Sequence, residues 1–138
     1  MGFTVVVPKE FPLTLLACLI IGIECYVIGM VAVGKAREKY FSKEFMAQFD
    51  SKHGEAFPGQ KAPAGGNPDC GDGRFSEELD YKSWVEFNSR MRVHANFVEN
   101  LPVILTILTI AGLVLPKAAM YIGFLNAIAR IVFTVLYI

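Results

Sequence analysis

The sequence predicts an all-α membrane protein, a transmembrane helix bundle, and three observations carry that reading. Three long apolar runs occur along 138 residues, and 54% of the chain is hydrophobic while only 19% is charged, against about a quarter charged in ordinary soluble domains. Mean hydropathy is +0.43.

The first run, Phe11 to Val33, covers about 23 residues, enough to span a bilayer with some tilt. It is too long for the apolar core of a signal peptide. Its basic residues follow rather than precede it, and no A-x-A site is present, so it reads as a retained helix. The second span is Phe97 to Leu115, continuing a helix that starts near Trp84. Pro102 is expected to kink it by removing one backbone donor. Lys117 marks a tight turn, and Ala118 to Ile138 forms a third span of about 21 residues. The whole chain, 1–138, reads as a single membrane domain.

Residues 34–87 form a long hydrophilic loop. Its centre, Phe57 to Gly73, is rich in Gly and Pro and is expected to be irregular or mobile. Lys35, Arg37, Lys39, Lys43, Arg90 and Arg92 flank this loop, against Lys9 before the first span and Lys117 after the second. The positive-inside rule therefore places the loop in the cytosol. A membrane of the endoplasmic reticulum type, or another intracellular membrane, is the default for a chain read without a cleaved signal.

Composition also excludes. Thirteen basic and thirteen acidic residues give zero net charge, so no overall basic surface points to nucleic acid. Cys18, Cys25 and Cys70 form no disulfide framework and no metal-ligand spacing. Asp69-Cys-Gly-Asp72-Gly-Arg74 has a faint calcium-loop look, but no register supplies alternating ligands with Gly sixth, and it reads as a solvated loop. No metal is expected.

The chemistry concentrates at Arg92-Val-His94-Ala-Asn96-Phe-Val-Glu99-Asn100-Leu-Pro102. An ionisable group inside a bilayer is costly and is normally paired and functional. At about 100° per residue, Arg92, Asn96 and Glu99 share one helix face. That stripe offers a guanidinium fork, an amide and a carboxylate, which suits a small zwitterionic ligand. The structural alternative is a polar cluster that joins helices. His94 lies roughly 160° from Asn96 on the wheel and is expected to meet a neighbouring helix or headgroups. Glu24, midway through the first span, reads either as a proton or substrate group or as the partner of an arginine such as Arg130, with pairing preferred.

The string Arg92-x-His94-x-Asn96-x-x-Glu99-x-x-Pro102 resembles the signature of the MAPEG superfamily, membrane-associated proteins in eicosanoid and glutathione metabolism. Lys35-Ala36-Arg37-Glu38-Lys39-Tyr40 is similar to a basic segment of the microsomal glutathione transferases of the type three branch. Ala129-Arg130-x-x-Phe133-x-x-x-Tyr137 resembles their third-helix pattern. Glu38 stands where many members have a second basic residue, and Phe133 replaces a common Tyr.

The resemblance implies a homotrimer of four-helix up-down subunits in the lipid bilayer, with glutathione as co-substrate between neighbouring subunits near the cytosolic face. It implies Arg37, Arg92, Asn96, Glu99 and Tyr137 as glutathione-binding residues, with His94 and Asn100 beside or within that set. Two arginines suit the two carboxylates of glutathione, and Glu99 suits its ammonium. The activity implied is attack of the glutathione thiolate on a lipophilic electrophile, or reduction of a lipid hydroperoxide. A thiol of pKa about 8.5 needs a cation or donor that favours the thiolate. The resemblance places that arginine beyond Ile138, so no catalytic residue is named.

Two other functions stand beside the transferase. One is a non-catalytic MAPEG-type protein that binds or presents a lipid or a partner enzyme. The other is a small transporter or channel subunit using Glu24 and Glu99 as ion-handling carboxylates.

Overall fold

The computed structural model describes residues 6–138, and all regular structure among the described residues is helical. Helix α1 (Phe11–Ile28) begins with Pro12 in its first turn, where a missing N–H costs nothing, and passes through a π-helical turn (Gly29–Gly34) into α2 (Lys35–Tyr40). Two short helices follow, α3 (Lys43–Ala47) and α4 (Asp50–Ala56), then an irregular stretch with single 3₁₀ turns at Ala64–Gly66 and Ser76–Glu78. The long helix α5 (Tyr81–Val114) and the last, α6 (Pro116–Tyr137), complete the chain.

Among the described residues, three helical stretches are long and apolar enough to cross a membrane: Phe11–Tyr40, Tyr81–Val114 and Pro116–Tyr137. The first runs seven residues past the expected Val33, because the helix continues through the π turn into the basic segment. Good helix formers (Lys35, Ala36, Arg37, Glu38, Lys39) carry it on. The second begins at Tyr81, near Trp84 as expected, where Asp80 caps it: its carboxylate accepts from the Lys82 and Ser83 N–H groups, both at 3.1 Å. α5 runs through Pro102 as one helix. The turn before α6 falls at Leu115, not Lys117, because Pro116 is preorganised for a first helical position.

The chain divides into two compact units, residues through Val27 with Ala95–Tyr137, and Ile28–His94 with Ile138. In the first unit the helices meet through small residues, as membrane helices do. Ala17, Ile21, Leu108 and Ala119 are buried. A Cβ on Gly123 would come within 2.8 Å of the Ala17 methyl. Buried Thr14 donates to the Pro116 carbonyl at 3.1 Å, satisfying both groups where α6 starts. The outward faces carry Leu19, Ile23, Ile110, Leu125 and Ile128, all exposed. Such apolar surface on three long helices makes this an integral membrane protein.

The second unit holds most of the expected loop, whose Gly- and Pro-rich centre is irregular, as expected, but lies against an aromatic core. Tyr40, Phe41, Met46 and Phe87 form a buried core with Ala36, and Phe45, Phe49, Phe75 and Leu79 pack against it. Phe41, Phe45 and Phe49 recur every four residues, and their rings pack in series, each pair 5.8 Å apart. Phe41 also meets Phe87 edge-on at 4.8 Å. Gly66 is required beneath Phe41, because its φ of +68° disfavours other residues and a Cβ there would lie 2.5 Å from the ring.

Candidate functional site

Within the membrane unit, polar side chains gather on α1, α5 and α6. Arg130 donates from Nη1 to the Asn96 Oδ1 at 2.7 Å, and its guanidinium carbon lies 4.9 Å from the centre of the buried Phe97 ring. Asn100 donates from Nδ2 to the Asn96 backbone carbonyl at 2.7 Å, a contact along the same helix. The expected Glu24–Arg130 ion pair is not made as a contact. Both Glu24 carboxylate oxygens are buried without a hydrogen-bond partner among the described residues, as is the Oδ1 of Asn126. The physical reason is that the Arg130 fork is directed to Asn96 and Phe97 instead. Tyr137 is exposed near the end of α6, with its ring 5.2 Å from that of Phe133.

Arg92 and Glu99 are exposed, and His94 is half-buried. The unbroken α5 helix keeps the spacing of four and three that puts Arg92, Asn96 and Glu99 on one stripe. In the second unit the His94 ring lies against Gly29, where a Cβ would come within 2.5 Å of Nε2. Gly29 therefore provides the space the imidazole fills.

Arg37 stands in the second unit, and its fork is occupied. Nη1 donates to the Gly65 carbonyl at 3.0 Å and Nη2 to the Asp69 carbonyl at 2.6 Å, with the guanidinium 5.8 Å from the centre of the Phe87 ring. The turn that presents those carbonyls is organised by the Asp69 side chain. One of its oxygens accepts from Gly71 N and Ser76 Oγ, the other from Phe75 N and Ser76 N. Burial of Asp69 raises its pKa, but the hydrogen bonds from Gly71, Ser76 and Gly73 outweigh that and hold the carboxyl below its ordinary range. Asp69 is thus a buried hub, not a residue of a solvated loop. The expected solvation holds for Cys70, Asp72 and Arg74, which are exposed, and fails at Asp69 because closely following N–H groups turn inward onto its carboxylate.

Asn88 of α5 closes the other edge of the turn, donating from Nδ2 to the Gly71 carbonyl at 3.0 Å. Nearby, Lys39 donates to the Tyr40 hydroxyl and to Glu86, and the Tyr40 hydroxyl donates to Glu86. Asp69, Ser76 and Asn88 carry no weight in a motif search. The Asp-x-Gly-x-Gly run ahead of Ser76 is the one local signal, since such residues capture following backbone N–H groups. A surface cavity of about 870 Å³ opens beside this turn, lined by His53, Cys70 and Phe75 among others, and none of the seven expected glutathione residues lines it.

The structure thus gives Arg37, Asn96 and Asn100 hydrogen bonds within the chain, and leaves the Tyr137 side chain exposed. Comparison with curated proteins gives no match, and comparison with solved structures gives none either. The model of the MAPEG family matches residues 11–138, from the first residue of α1 to Ile138. The chain belongs to the MAPEG family.

Proposed function

We propose that this protein is an integral membrane glutathione transferase of the microsomal type. The family match over residues 11–138 carries the reading, and the α5 stripe gives it chemistry. Arg92 takes one carboxylate of glutathione through its planar fork, and Arg37 takes the other. Glu99 receives the α-ammonium, and Asn96 offers its amide N–H groups while its Oδ1 stays with Arg130. Exposed Tyr137 contributes a phenolic donor, with His94 and Asn100 flanking. The ligand lies between neighbouring subunits of a homotrimer, on the side of the endoplasmic reticulum or similar membrane that faces the cytosol.

In the reaction, the glutathione thiol gives up its proton and the thiolate sulfur attacks an electrophilic carbon. A carbon–sulfur bond forms and the leaving group departs with its electron pair. A lipophilic electrophile enters from the bilayer side, where α6 is apolar. The test is conjugation of glutathione to a generic aromatic electrophile by the detergent-purified protein. Turnover that Arg92→Ala reduces by at least about tenfold, the effect of losing a bidentate carboxylate contact, supports the reading. Absence of turnover together with absence of glutathione binding overturns it.

A further inference from the structure

We propose that the turn at Gly65–Asp69 is an internal competitor for glutathione, seated in the Arg37 fork when the ligand is absent. The inference rests on the reading of Arg37 as a glutathione carboxylate ligand. Its observation is the pair of hydrogen bonds from Arg37, one terminal nitrogen to the Gly65 carbonyl at 3.0 Å and the other to the Asp69 carbonyl at 2.6 Å. Two oxygens, one for each terminal nitrogen, are what a carboxylate presents to a guanidinium. The turn satisfies the fork with neutral main-chain oxygens.

Those carbonyls are held out by a self-supporting turn. The Asp69 carboxylate gathers the N–H groups of Gly71, Gly73, Phe75 and Ser76, and Asn88 fixes the Gly71 carbonyl from α5. Gly65 and Gly66, both at φ +68°, form the bend that turns the first carbonyl toward Arg37. The Arg37 guanidinium itself stays over Phe87. A ligand carboxylate carries a full charge and makes the stronger, charge-assisted bond. It displaces the two carbonyls at sufficient concentration, and the turn then loses its anchor on α2. Apparent affinity for glutathione is reduced by the fraction of molecules whose fork is closed by the turn.

The test is hydrogen exchange at the amides of residues 66–76 in the full-length, detergent-purified protein, read beside calorimetric glutathione binding. Exchange at these amides is expected to rise severalfold when glutathione saturates the wild type, and not to rise with glutathione diethyl ester, which lacks free carboxylates. Arg37→Ala raises it without ligand. Asn88→Ala, which loosens the turn from the opposite side, is expected to bind glutathione about fivefold more tightly, the equivalent of one ordinary hydrogen bond. A purely structural Asn88 would leave affinity unchanged or lower it. Glutathione that binds by calorimetry while exchange stays flat or slows, or an Asn88→Ala protein that binds no more tightly, overturns the competitor and leaves the transferase reading standing. Glutathione that does not bind at all removes both.

Discussion

Arg130 on α6 donates to the side chain of Asn96 on α5 at 2.7 Å, beside the buried ring of Phe97. The bond ties the third membrane helix to the second at the residue whose backbone carbonyl also receives Asn100. It fixes the orientation of the Asn96 amide, with Oδ1 toward Arg130.

The first prediction concerns that bond. Polar pairs between membrane helices are worth about 1 kcal/mol, since the separated helices find other partners in the membrane. A double-mutant cycle of Asn96→Ala and Arg130→Leu, read by denaturation in detergent, is expected to return a coupling near that value. Additive effects of the two changes would show that the contact holds nothing together.

Glu24 leads to the second. Its carboxylate oxygens are buried and lack a hydrogen-bond donor among the described residues, and a buried polar group without one costs about 1–3 kcal/mol. Glu24→Leu is therefore expected to raise the thermal midpoint of the detergent-purified protein. Arg130 keeps its bond to Asn96 in that variant. A fall in the midpoint would mean that Glu24 is satisfied in the assembled protein.

Asp69 gives a pH prediction. Its folded pKa lies below the ordinary value of about 3.9, so the deprotonated carboxylate stabilises the turn. That contribution is complete above pH 3.9 or so and is lost as pH falls through the depressed folded value. Exchange protection of the 71–76 amides, normalised for intrinsic rates, is expected to hold from pH 7 down to about 4 and to fall below it. Asp69→Ala strands several inward N–H groups and is expected to cost the turn about 3 kcal/mol at neutral pH. Protection that fails well above pH 5, or survives in Asp69→Ala, would contradict this role.

The helices were legible because length and apolarity declare a membrane span whatever it packs against. Thus Phe11, Trp84 and Ala118 lay within a few residues of the observed helix starts. The helical continuation from Val33 to Tyr40 was missed because Lys35, Arg37 and Lys39 read as the polar end of a span. They are also sound helix formers once the helix has left the hydrocarbon. The loop was the larger gap. Gly and Pro mark turns locally, but its order comes from Asp69 meeting Ser76, Asn88 meeting Gly71, and Arg37 meeting two carbonyls. Backbone carbonyls leave no trace in residue identity, so partners of that kind cannot be read from a string. The α5 stripe was legible from spacing alone, whereas the commitment of Asn96 to Arg130 needed the packing of α6 against α5.

Gly66 supplies the fourth prediction. Gly66→Ala puts a methyl group into the Phe41 ring at a φ that L-residues avoid. The expected loss is about 1–3 kcal/mol, seen as faster tryptic cleavage at Lys61 and Arg74. Wild-type resistance in that variant would mean that the Phe41 ring moves aside at little cost.

The most direct measurement of the central claim is calorimetric titration of glutathione into the detergent-purified wild type, Arg92→Ala and Glu99→Ala. The account predicts binding in the wild type and a loss of at least about tenfold in each variant, as expected when a charged hydrogen-bond partner is removed. Wild-type binding that both variants retain, or no binding in any of the three, would contradict it.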